Sequence, residues 1–98
     1  MPRKDWIKNL PDGFTIYARR TTTRGEMTDF AVVLIYGGEC IARFDTAHGF
    51  AHKDVLGRKS ALIRKEKYDN LSVKEAFEHA INDLSENYEA YLQFFLEH

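Results

Sequence analysis

Between Arg43 and Gly57 the chain reads RFDTAHGFAHKDVLG, a stretch that holds two histidines, two aspartates, an arginine and a lysine. Those residue types suit acid–base work on RNA. Such cleavage needs one group to remove the 2′-hydroxyl proton, another to protonate the leaving oxygen, and a cation to stabilise the phosphorane charge. Histidine suits such work because it is the side chain whose ordinary pKa lies near working pH, so His48 and His52 form the candidate catalytic set with Arg43 and Asp45, and Lys53 is a further cation for binding. A metal reading would pair His48 and His52, spaced H-x3-H, with Asp45 or Asp54 as an oxygen ligand. Gly49 sits between the two histidines and no cysteine joins them, so no metal and no cofactor are expected. A third reading is a polar connection, in which Asp45 ends a strand, Gly49 supplies a turn and the histidines are solvated.

The elements that must position this stretch follow from periodicity. GFTIYARRTT alternates, with Phe14, Ile16 and Ala18 on one side and Thr15, Tyr17 and Arg19 on the other, which predicts a strand. TDFAVVLIYGGECIARFD reads as two strands joined at Gly37-Gly38, because a type I′ turn needs positive φ at both central positions. That turn places Ile35 opposite Cys40, Val33 opposite Ala42 and Ala31 opposite Phe44. A first hairpin turning at Arg24-Gly25 places Phe14 opposite Ile35, Ile16 opposite Val33 and Ala18 opposite Ala31. All nine residues then share one apolar face. Residues 46–58 form a long polar connection, after which KSALIRKEKY predicts a fourth strand. Ser72 and Glu75 make a capping box, and Val73, Phe77, Ala80, Ile81, Leu84, Tyr88, Tyr91, Leu92 and Phe95 recur at helical spacing. One long C-terminal helix should therefore cover the sheet. Near the N-terminus, Trp6, Ile7 and Leu10 suggest a short helical turn.

The expectation is a single α+β domain over residues 1–98: an antiparallel meander of three or four strands with one long C-terminal helix packed on one face. In this register the opposite face collects Tyr17, Arg19, Phe30, Val32, Leu34, Tyr36, Ile41, Arg43 and Asp45. So much apolar surface calls for a cover, and a second copy of the chain would supply one. RNA is the other candidate, its bases stacked on Tyr17, Phe30 and Tyr36 while Arg19 and Arg43 hold phosphates. Charge divides the molecule the same way: from Ser72 to His98 there are six acidic residues against one lysine, and the remainder carries thirteen basic residues against nine acidic, so any anionic partner belongs on the remainder. A single cysteine, no apolar run of membrane-spanning length and a charged N-terminus point to a cytoplasmic protein without a membrane partner.

The segment RFDTAHGFAHKD resembles the arginine-aromatic-aspartate and histidine-rich signature of the TumE-type toxin-like families of small prokaryotic proteins. In those families strands lead into a histidine-bearing loop and a C-terminal helix. The resemblance implies a toxin or a relative of one, paired with a DNA-binding antitoxin, and it carries over onto Arg43, Asp45, His48 and His52. The residues leave a rival open, a homodimeric protein-interaction module without catalysis.

Overall fold

The computed structural model describes residues 3–46, 51–58, 62–68 and 70–98. Strands β1 (Arg3–Asn9), β2 (Phe14–Thr23), β3 (Glu26–Tyr36), β4 (Glu39–Asp45), β5 (His52–Leu56) and β6 (Leu62–Lys67) precede helix α1 (Val73–Glu97). The strands form an antiparallel meander in sequence order, and α1 lies over the middle of the sheet, chiefly over β3 and β4. The α+β architecture with one C-terminal helix is as the sequence reads. The strand count is not: among the described residues the sheet has six strands rather than three or four.

Both additional strands are highly charged segments whose polar residues are accommodated by their neighbours. Trp6 and Ile7 lie in β1 rather than in a helical turn, and β1 pairs with β2 from Arg3↔Thr21 to Asn9↔Thr15. The tight turn at Pro11–Gly13, with Asp12 at φ 62° and Gly13 at φ 86°, reverses the chain so that Leu10 N–H donates to the Phe14 carbonyl (2.9 Å). Strand β5 occupies the middle of the stretch read as a connection, between β4 and β6. Its alternation of His52, Asp54 and Leu56 with Lys53 and Val55 looks like a polar loop because both faces carry charge.

The hairpin turns fall where the sequence places them, with positive φ at Arg24 and Gly25 and at Gly37 and Gly38. The register beyond each turn differs. Ile35 does face Cys40, but Leu34 faces Ala42, leaving Ile41 as an extra residue in β4. Likewise Thr21 faces Asp29 while Thr22 faces Met27, leaving Thr28 extra in β3. Phe14, Ile16 and Ala18 therefore oppose Tyr36, Leu34 and Val32. A one-residue slip exchanges the faces of a strand. It is Phe30, Val32 and Leu34 that are buried under the helix, while Ala31, Val33 and Ile35 stay half-buried on the other face.

The core joins these residues and Phe14, Ile16, Ala18, Ala42, Phe44 and Val55 to Ala76, Phe77, Ala80, Leu84, Tyr91 and Phe95 of α1. Phe77 is its aromatic hub, with ring centroids 5.4 Å from Phe30 and 5.5 Å from Trp6, both edge to face. The helix starts on the expected capping box: Glu75 N–H donates to Ser72 Oγ (3.1 Å), and Ser72 N–H donates to Glu75 Oε1 (3.0 Å). It is interrupted at Asn87 (φ −119°, ψ 19°), whose side-chain amide donates to the Asp83 carbonyl at 3.0 Å and so competes with the backbone ladder. Among the described residues, no helix is long and apolar enough to cross a membrane.

Candidate functional site

The uncovered sheet face carries a compact group of charges assembled by cross-strand pairing. Arg43 and Asp45 alternate with core residues on β4, and His52 and Asp54 do so on β5. In the antiparallel register Asp45 faces His52 and Arg43 faces Asp54, while Lys65 of β6 faces Asp54 from the other side. Directly opposed residues hold their Cβ atoms about 4.5–5.5 Å apart, so polar side chains at these positions must meet.

His52 Nε2 stands 2.8 Å from Asp45 Oδ1 and 4.0 Å from Asp54 Oδ1. The Arg43 guanidinium reaches the other oxygen of each carboxylate, at 2.6 Å to Asp54 Oδ2 and 3.4 Å to Asp45 Oδ2. Its Nε also donates to Asp54 Oδ2 at 3.2 Å. Lys65 Nζ lies 3.8 Å from Asp54 Oδ1. The His52 and Asp54 side chains are only 2% and 4% exposed, Asp45 is 17% exposed, and Arg43 and Lys65 open to solvent at 42% and 38%. The buried negative charge of Asp54 is thus compensated by cations, as a carboxylate removed from water must be. Hydrogen bonding to Asp54 pushes the Arg43 guanidinium above its already high pKa. Among the described residues, Asp54 Oδ1 is buried and accepts no hydrogen bond.

Of the residues singled out from sequence, Arg43, Asp45 and His52 are brought together here, and His48 lies outside the described residues. Asp54 was legible as a metal ligand at most. The signal for its larger role was its alternation with His52, which a loop reading hides. Lys53 points to the opposite face. There Nζ donates to the Tyr91 hydroxyl (3.0 Å), lies 3.6 Å from Glu66 and sits over the Phe44 and Tyr91 rings.

The aromatic platform expected for stacking is not assembled. Tyr17 lies on the open face, where its hydroxyl donates to Asp5 Oδ2 (2.8 Å), and Arg19 borders a small depression with Asp29, Asp45 and Thr46. Phe30, however, is 1% exposed in the core, and Tyr36 packs on Phe14 on the helix side (4.7 Å between ring centroids). The extra residue at Thr28 is the reason, since it moves both rings to the face covered by α1.

A second polar group, which the sequence did not announce, borders a depression of about 260 Å³ between α1 and β5. Tyr91 donates to Asp83 and accepts from Lys53, and Asn87 donates to Asp83 Oδ1 (2.9 Å). Burial first, and the Asp83 carboxylate second, push the Tyr91 phenol far above its ordinary pKa. Its polar atoms are engaged with one another, which makes it a brace between helix and sheet.

Neither the curated proteins nor the solved structures contain a match to this chain. A family does match, over residues 1–98: the chain belongs to the family described as Domain of unknown function (DUF7718).

Proposed function

We propose that the chain is a cytoplasmic, toxin-antitoxin-type component that acts on RNA through the cluster on its open sheet face. The observation that carries this reading is the convergence of Asp45 Oδ1 and His52 Nε2, 2.8 Å apart, beside the solvent-facing Arg43. Arg43 and Lys65 would hold the oxygens of a phosphodiester. The neighbouring 2′-oxygen attacks phosphorus, the 5′-oxygen leaves and a cyclic phosphate forms. The Asp45–His52–Asp54 group takes up the proton lost from the 2′-hydroxyl, and His48, the next histidine in the chain, is the candidate to protonate the leaving oxygen. His52 is too buried to meet substrate itself, so within the pair Asp45 faces the reactant and His52 is a positioning residue. The test is RNA cleavage by purified protein, together with growth on expression. Asp45→Asn should lower cleavage about 100-fold or more with the fold intact, as loss of a proton acceptor does. Intact RNA and normal growth with the wild type, in a strain lacking a partner antitoxin, would overturn the reading.

A second reading has its own support. Tyr17, Ala31, Val33 and Ile35 form a half-buried apolar strip on the uncovered face, and Ile7 beside it is 63% exposed. A homodimer through this strip would make the chain an interaction module and bring two charged clusters to one interface.

A further inference from the structure

We propose that Asp45, His52 and Asp54 form a divalent-cation site of the zinc or manganese class. Their ligand atoms lie within 4.8 Å of one another. The arrangement is that of a prepared site, because Arg43 holds the Oδ2 atoms of both carboxylates and leaves both Oδ1 atoms turned toward His52 Nε2. Outer partners that orient metal ligands in this way are a general feature of metal centres. Asp54 Oδ1 supplies the independent indication: its side chain is 4% exposed, yet this oxygen accepts no hydrogen bond among the described residues. The Lys65 ammonium stands 3.8 Å away, too far to hydrogen-bond this oxygen, and a directly coordinated cation would satisfy it.

The ligand set selects the ion. One imidazole nitrogen and two carboxylate oxygens suit zinc or manganese, whereas soft ions seek thiolates and calcium seeks six to eight oxygens. Bonds of about 2.0–2.2 Å would draw Asp54 Oδ1 inward by roughly 1 Å, a movement that side-chain rotation can supply. Three protein ligands leave a coordination position for water, and such an ion lowers the pKa of that water toward neutrality. The cations Arg43 and Lys65 oppose the ion, so affinity should fall short of that of closed structural zinc sites. Lys65 opposes it most directly, its Nζ standing 3.8 Å from the Asp54 Oδ1 that would ligate the ion. The site stands on this geometry whether or not RNA is the substrate, and its test reads binding alone.

Chelator-stripped full-length protein titrated with zinc chloride, and separately with manganese chloride, should bind one ion per chain, zinc more tightly. Zinc at about 100-fold over its dissociation constant should raise the melting temperature by about 10–20 °C, reversibly on chelation. The His52 Nε2 resonance should shift in nitrogen-15 spectra as its proton is displaced. Asp45→Asn and Asp54→Asn should each weaken binding at least tenfold, and Lys65→Met should tighten it. Asp45→Asn keeps the test open if Asp54→Asn fails to fold. No binding at millimolar zinc, binding that leaves His52 Nε2 unshifted, wild-type affinity in Asp45→Asn, or unchanged or weaker affinity in Lys65→Met would each overturn the site.

Discussion

The cluster on the open face is expensive to build and instructive for that reason. Asp54 and His52 are buried polar residues on one strand in a chain of 98 residues, and their burial there depends on Arg43 answering both carboxylates, Asp45 on β4 and Asp54 on β5. Removing one partner of such a group leaves an uncompensated buried charge, so Arg43 is tied to folding as well as to any reaction. Elsewhere, individual residues carry avoidable cost. Arg24 adopts φ 54° in the first hairpin turn, where a side chain with Cβ meets its following carbonyl. Asparagine tolerates that conformation and is favoured in type I′ turns. Arg24→Asn should therefore raise the unfolding free energy by about 0.5–1 kcal/mol in urea denaturation, without altering the cluster on β4 and β5.

At the scale of elements, α1 is held at its start by local chemistry and along its length by packing. Ser72→Ala removes the acceptor for the Glu75 N–H and should cost about 1 kcal/mol in chemical denaturation. The same cap predicts a pH dependence. Hydrogen bonds from the Ser72 backbone and side chain hold the Glu75 carboxyl below its usual value. The folded pKa is depressed, so this contribution is present above the unfolded pKa and fades as the pH falls through the folded one. Denaturation series at neutral and acid pH should show a smaller difference between wild type and Glu75→Ala at acid pH, because that variant removes the titrating acceptor of the Ser72 N–H. Further along, Phe77→Ala would leave a cavity between Phe30 and Trp6 and should cost about 3–5 kcal/mol. A loss below about 1 kcal/mol in the same assay would contradict the placement of the ring.

For the molecule as a whole, the sheet has one face under α1 and one open, and the two carry different burdens. Leu34 is fully buried beneath the helix, while Val33 beside it is half-buried on the open face. If the apolar strip joins two copies, Val33→Glu should yield a folded monomer by light scattering, whereas Leu34→Glu should unfold the chain. A wild type that is monomeric at high micromolar concentration would remove the dimer. The outer strands β1 and β6 carry Arg3, Lys4, Asp5, Lys8, Lys65, Glu66 and Lys67, and edges charged in this way resist pairing with further chains. What the sequence determined by itself was whatever is encoded within a few neighbouring residues: both hairpin turns, the capping box, the helical stripe and the polar composition of Arg43 to Gly57. These depend on local dihedral preference and periodicity, which need no partner to be legible. The tertiary structure decided the rest. An extra residue in β3 leaves Thr28 outside the backbone register, at a cost near that of one ladder hydrogen bond, about 1 kcal/mol, although its hydroxyl still donates to the Thr21 carbonyl. In return it exchanges Ala31 for Phe30 in the core, and burial of such a ring stabilises by about 1.5–3 kcal/mol. That contest is between faces of a whole sheet and cannot be seen along one strand. The strand character of His52 to Leu56 is likewise settled only by the neighbours that receive its charges, Asp45 and Arg43 on β4 and Lys65 on β6, which is why a segment that reads as a loop becomes the centre of the candidate site.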